Sequence, residues 1–181
     1  MNKYIIFSLI LFCFSPCSNA QDNTDVNYGF ELDALPYLTG GYYISGWVGK
    51  DKLRVRGIVA SVNFPKFAIE AGFEDNKLEA YALVVDYFPS QNFSGVWYGG
   101  GIEFWDSEIK SENENITSEY SNFVVTAGGG YIWYFHKNFY LNPWGAIHGI
   151  VSGDGDVNVG SRVFKPKKVT GEISLKVGFK Y

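Results

Sequence analysis

The end of the chain alternates apolar and polar residues with a period of two. Ile173, Leu175, Val177, Phe179 and Tyr181 stand on one side of that pattern, and Glu172, Ser174, Lys176, Gly178 and Lys180 on the other. Successive side chains of a β-strand point to opposite faces, so the pattern specifies a strand with one apolar face. The pattern recurs along the chain and is bounded each time by turn residues. It predicts eight strands, at 26–35, 41–48, 53–64, 77–88, 95–107, 120–135, 139–151 and 169–181.

The links between these segments alternate in kind. The second, fourth and sixth are short turns around 49–52, 89–92 and 136–138, whereas the third, fifth and seventh, at 65–76, 110–119 and 152–168, are longer and polar. Up-and-down barrels in an asymmetric membrane show this parity, with short turns on one side and long loops on the other. The first link, 36–40, is short where the parity expects length. No heptad pattern, repeat or linker interrupts the series, and a single barrel domain over 21–181 is expected.

The first twenty residues stand apart. Lys3, the apolar run 5–14 and Ser18-Asn19-Ala20 form a short basic region, a hydrophobic region and a small-x-small cleavage signal, which predict a secretory signal peptide at 1–20. The run is shorter than the ~20 residues a spanning helix requires. Both cysteines, Cys13 and Cys17, would leave with it, so no disulfide is expected in the exported chain. Removal of Lys3 takes the formal charge from −4 to −5. This mildly acidic balance excludes the basic footprint of a nucleic-acid-binding protein.

All 21 glycines fall after residue 20, at about twice the usual ~7% frequency. Most aromatics are there too. No stretch after residue 20 holds 18 consecutive apolar residues, so a chain of this kind crosses a membrane only as a closed β-barrel, which satisfies its own backbone within lipid.

The eight alternating segments, the aromatic-rich strand ends and the terminal Tyr181 with apolar residues at alternate positions resemble the small eight-stranded outer-membrane barrels of the OmpA/OmpX type. The resemblance implies an all-β fold, an eight-stranded antiparallel up-and-down transmembrane β-barrel in the outer membrane of a Gram-negative cell, reached through a cleaved signal peptide. It also implies that Ile173, Leu175, Val177, Phe179 and Tyr181 present the signal read by the barrel assembly machinery. Tyr stands last where Phe is commoner. The implied partners are outer-membrane lipid and lipopolysaccharide; a monomer is expected, with no nucleic acid, cofactor or metal.

Tyr28, Tyr87, Phe88, Phe135, Phe139, Tyr140, Phe179 and Tyr181 lie near the strand ends beside the short turns, where an aromatic girdle is expected at the lipid surface. The opposite faces carry Glu31, Asp33, Arg54, Arg56, Asp86, Glu103, His148, Glu172 and Lys176, the candidate polar network of the interior. The interior of an eight-stranded barrel is just wide enough for side chains to fill. Arg54 and Arg56 are the expected hubs, because a guanidinium serves several carboxylates at once. These features predict a plugged barrel with a structural or surface-interaction role, closed to solutes.

Two alternatives follow different residues. His148 and Ser152 suggest a lipid A-modifying enzyme on the same barrel, since a histidine can activate a serine within hydrogen-bond reach. At ~3.3 Å per residue, however, an i, i+4 pair on a strand lies about 13 Å apart. A secreted lipocalin-like barrel binding a small ligand would instead turn its aromatics inward. Asp154, Asp156 and Asn158 in GDGDVNVG have calcium-loop spacing, yet Val159 and Lys165 occupy positions where that loop needs Gly and Glu. The glycines of AGGGY at 127–131 lack a phosphate-loop pattern and are expected to permit close packing. Arg162, Lys165, Lys167 and Lys168 form a basic cluster in the last loop, able to meet lipopolysaccharide phosphates as point charges.

Overall fold

The computed structural model describes residues 26–90 and 92–181; the signal-peptide reading and both cysteines lie outside the described residues. Eight strands close a barrel: β1 (Asn27–Asp33), β2 (Tyr42–Lys50), β3 (Leu53–Asn63), β4 (Phe73–Tyr87), β5 (Gly95–Ser111), β6 (Thr117–Tyr134), β7 (Phe139–Gly153) and β10 (Val169–Lys180). Each pairs antiparallel with its neighbour in the chain, and β10 returns to β1 to complete the ring. A small hairpin, β8 (Val157–Val159) with β9 (Arg162–Phe164), sits within the last long link.

The closing seam is written in aromatics. Phe30 faces Phe179 and Leu32 faces Val177 across it, and Tyr28 stacks on Tyr181 with ring centroids 5.0 Å apart. The backbone N–H of Tyr181 donates to the Tyr28 carbonyl at 2.8 Å. Ring closure leaves no unpaired strand edge to recruit another chain.

Phe30, Ile44, Val55, Leu83, Ile102, Val125, Ile147 and Leu175, one from each barrel strand, point outward and are exposed. They belong to a continuous apolar belt. Tyr28, Tyr87, Tyr98, Trp133, Phe135, Phe139 and Tyr181 border it beside the short links, and Tyr42, Tyr81 and Phe123 on the opposite side. On β4 six residues separate Tyr81 from Tyr87, about 20 Å of strand at ~3.3 Å per residue. Two residues expected in the girdle lie elsewhere. Phe88 and Tyr140 are fully buried in the interior, because each keeps the inward parity of its strand, Phe88 two residues after inward Asp86 and Tyr140 two before inward Asn142.

Beyond the belt the alternation changes phase. On the far ends of β4, β5 and β6 the outward positions become polar, with Lys77, Glu79, Asp106, Glu108 and Glu119, while Phe73, Ile109 and Tyr120 turn inward and are buried. Hairpin β8–β9 lays Val157, Val159 and Phe164 on that inner face to form a second core. The polar run 110–119, expected as a loop, is therefore half strand, the ends of β5 and β6, around a turn at residues 112–116. The first link is also built. The Asp33 side chain accepts from the Leu35 backbone N–H at 3.1 Å and starts a five-residue helix, α1 (Ala34–Leu38). This ends β1 two residues before the expected Leu35.

Candidate functional site

The interior has two dissimilar halves. Toward the short links, Arg54 and Arg56 project inward from β3, Asp86 from β4 and Glu31 from β1, because each occupies the inward parity of its strand. Arg54 donates through Nη1 to Glu31 Oε1 at 3.0 Å and through Nε to Asp86 Oδ2 at 2.8 Å. Arg56 grips Asp86 with two bonds, Nε to Oδ2 at 2.7 Å and Nη2 to Oδ1 at 2.9 Å, and reaches Glu31 Oε2 at 3.4 Å. Two cations and two anions thus neutralise each other with at most 3% of any side chain exposed. Buried charges persist only when paired and hydrogen-bonded, and this cluster meets both conditions.

Aromatic side chains surround the cluster. Trp47, Phe88, Phe93, Trp97, Ile132 and Tyr140 form a buried core; the Arg54 guanidinium lies 5.1 Å from the Phe88 ring centroid and that of Arg56 4.9 Å from Trp97. Tyr140 joins the two layers, its hydroxyl donating to Glu31 Oε1 at 3.0 Å and accepting from Trp47 Nε1 at 2.9 Å. Asn142 donates to the same Glu31 oxygen and accepts from Trp97 Nε1. Trp47, Trp97, Tyr140 and Asn142 belong to the network although sequence reasoning did not include them. Their inward parity was the available signal: Trp97 shares its face with Gly99, Gly101 and Glu103, and Asn142 with Trp144 and His148.

Glycine makes room for these large groups. A Cβ at Gly178 would stand 2.1 Å from Tyr140 Cζ, and one at Gly130 2.8 Å from Trp97 Nε1. The close packing expected of the 127–131 glycines is present at Gly130.

Toward the long links the interior opens into a cavity of about 190 Å³. Its space arises because β3, β4 and β7 present small residues inward, Ala60, Ala80, Ala82 and Ala146, while Ile58, Leu78, Trp105 and Trp144 complete the walls. His148 stands here between two carboxylates. Its Nδ1 is 3.2 Å from Glu103 Oε1, misaligned for a hydrogen bond, and its Nε2 is 3.2 Å from Glu172 Oε1. Glu103 also accepts from Trp105 Nε1 at 2.6 Å.

The nine expected interior residues therefore divide into three groups. Glu31, Arg54, Arg56 and Asp86 form the charge cluster, and Glu103, His148 and Glu172 a separate clamp. Asp33 and Lys176 stand apart from both. Asp33 Oδ2 accepts from Trp144 Nε1 at 2.7 Å, while Oδ1 takes the Leu35 amide and the Ser174 hydroxyl. Lys176 is fully buried with its Nζ 3.4 Å from the Trp144 ring centroid, and no acceptor among the described residues bonds to it.

His148 and Ser152 do not share a face. The β6–β7 register slips between Phe123 and Val124, so that Val124 opposes Ile150 but Phe123 opposes Ser152. A bulge at Val151 sends Ser152 outward with Phe123. The candidate calcium ligands also separate: Asp154 accepts from the Ser121 backbone N–H at 2.8 Å, Asp156 lies 3.5 Å from Lys165, and the Asn158 carbonyl accepts from Ser118. Glu114, in the turn between β5 and β6, accepts from the Ser161 hydroxyl and backbone N–H, and these bonds lower its pKa from the ordinary carboxylate value.

No family model matches the chain, and no curated protein matches it in sequence. Its fold is that of the small eight-stranded outer-membrane barrels. Among solved structures it is similar to the N-terminal β-barrel domain of Pseudomonas aeruginosa OprF, with a TM-score of 0.53 and 12% identity over 86% of this chain and 96% of that one. Neisserial surface protein A gives a TM-score of 0.53 at 17% identity, covering 86% and 94%. A major outer membrane protein of Thermus thermophilus gives 0.50 at 13%, covering 87% and 100%. At these identities the likeness shows the fold.

Proposed function

We propose that this chain is an integral outer-membrane protein with a structural or surface-interaction role, whose interior does not conduct solutes. The carrying observation is the belt. Outward positions between Tyr81 and Tyr87, between Tyr98 and Phe104, and between Phe123 and Trp133 hold no charged residue, and the charges of β4 and β5 at that level, Asp86 and Glu103, lie inside. A water-soluble barrel would invert this arrangement, so the belt disfavours the lipocalin-like alternative. Lipid on the outside makes it favourable. The short links and Lys180 would then face the periplasm, and α1, the β5–β6 turn and hairpin β8–β9 the exterior, within reach of lipopolysaccharide.

The buried charge cluster and the aromatic core beside it support a closed interior. The enzymatic alternative finds little support, since Ser152 points away from His148 and the imidazole is already engaged by two carboxylates. Ile173, Leu175, Val177, Phe179 and Tyr181 all face outward from β10, as an assembly signal read from the lipid side would require.

Membrane fractionation with gel mobility before and after boiling tests the location. Recovery in the outer membrane with a heat-dependent mobility shift is expected; recovery in the soluble fraction with no shift would end this reading. Deletion of residues 179–181 removes Phe179 and Tyr181 from the seam and is expected to abolish the heat-shifted form. Its full retention would refute the assembly role.

A further inference from the structure

We propose that the cavity in the long-link half of the barrel binds a small apolar carboxylic acid, with its carboxylate held by Lys176. This goes beyond the outer-membrane reading, which stands whether or not the cavity binds anything.

The Lys176 side chain is fully buried, it lines the cavity, and its Nζ meets no acceptor among the described residues. An ammonium taken from water without a hydrogen-bonding anion is costly. The neighbouring anions are committed elsewhere. Both oxygens of Asp33 are occupied by Trp144, Ser174 and the Leu35 amide, and Glu31 is held by Arg54, Arg56, Tyr140 and Asn142. Lys176 is instead placed by aromatic faces, 3.4 Å from the Trp144 ring centroid and 5.1 Å from that of Tyr43. Rings orient a cation without satisfying its N–H donors, leaving them for a group that enters the cavity.

The remaining walls define the rest of the ligand. Ile58, Ala60, Leu78, Ala80 and Trp105 present carbon to the space. At about 190 Å³ the cavity somewhat exceeds the ~150 Å³ apolar cavity that accepts benzene, which points to a ligand on the order of ten heavy atoms. Glu103 and Glu172 share His148 between them, which limits their repulsion of an entering anion. Asp33, Arg56, Glu103, His148 and Glu172 also border the space, but each is engaged by another protein group. Lys176 is thus the lining cation whose donors are unmet among the described residues. A largely apolar pocket with one such polar group fixes the orientation of an apolar ligand.

The test uses the full barrel held in amphipol, with carboxyl-labelled octanoate followed by carbon NMR, and octanol and octylamine as neutral and cationic probes of the same length. Saturable binding of one octanoate per chain is expected, with octylamine failing to compete. Lys176→Met should weaken octanoate binding about ten- to hundredfold, the range of a charge-assisted hydrogen bond, while octanol binding stays within about twofold. Ala80→Phe, which fills the space but keeps the ammonium, should abolish both. Heat-dependent mobility establishes that each variant is folded. Equal octanoate affinity in the wild type and Lys176→Met would overturn the assignment to Lys176. Equal binding of octanoate and octanol by the wild type, or no saturable binding, would overturn the site.

Discussion

The two halves of the barrel interior are built from the same eight strands and differ in what their inward positions carry. The short-link half holds arginines, carboxylates and large aromatics that satisfy one another, whereas the long-link half holds alanines around a cavity, with Lys176 at its edge. Inward parity alone decides neither outcome. Filling depends on whether side chains at one level of the ring, drawn from distant parts of the chain, sum to the available volume, and whether their charges pair there. Glu31 and Tyr140, more than a hundred residues apart, meet in this way.

Replacements should therefore cost more in the first half than in the second. Arg54→Met leaves Glu31 and Asp86 with one guanidinium between them. Breaking a buried ion pair from one side typically costs about 3–5 kcal/mol, so a large fall in the urea midpoint of the amphipol-held barrel is expected. An unchanged midpoint would mean that the cluster contributes nothing to stability. Next comes Gly178→Ala, whose methyl would collide with the buried Tyr140 ring and displace its hydroxyl from Glu31. Overpacking of this kind costs about 1–3 kcal/mol, readable in the same titration.

The long-link half should respond less. His148→Gln removes an imidazole shared by two carboxylates, one of them 40% exposed, and is expected to lower stability by about 1 kcal/mol. A loss as large as that of Arg54→Met would break the contrast between the halves. The smallest effect belongs to Glu114. Its folded pKa is lowered, so its contact with Ser161 contributes above the ordinary carboxylate pKa and is lost as pH falls through the lowered value. Acidification should lower the protection of the Ser161 amide relative to its intrinsic exchange rate at the same pH and leave the global midpoint unchanged; Glu114→Gln should show low protection already at neutral pH.

The strands were legible wherever outward apolar and interior positions alternate, as at 173–181 and 81–87. At 110–119 the turn at 112–116 was legible but its flanks were not, because those strand ends rise past the belt. There the outward face carries Lys110, Glu108 and Glu119, and the apolar phase passes to Ile109 and Tyr120, so polarity imitates a loop. Residues of the charge cluster were readable from parity alone. Their division into a cluster, a clamp and a solitary Lys176 was not, since it depends on the register between strands. The cavity was hidden for a related reason: Ala60, Ala80 and Ala146 look like ordinary small strand residues until the ring brings them to one level.

If the short-link half seals the barrel, ion conductance reads that seal most directly. The purified protein inserted into planar bilayers is expected to give no single-channel events above the lipid background. Reproducible ohmic steps from the wild-type barrel would contradict the seal, because they would require a water-filled path through the level where Arg54, Arg56, Glu31 and Asp86 are packed together.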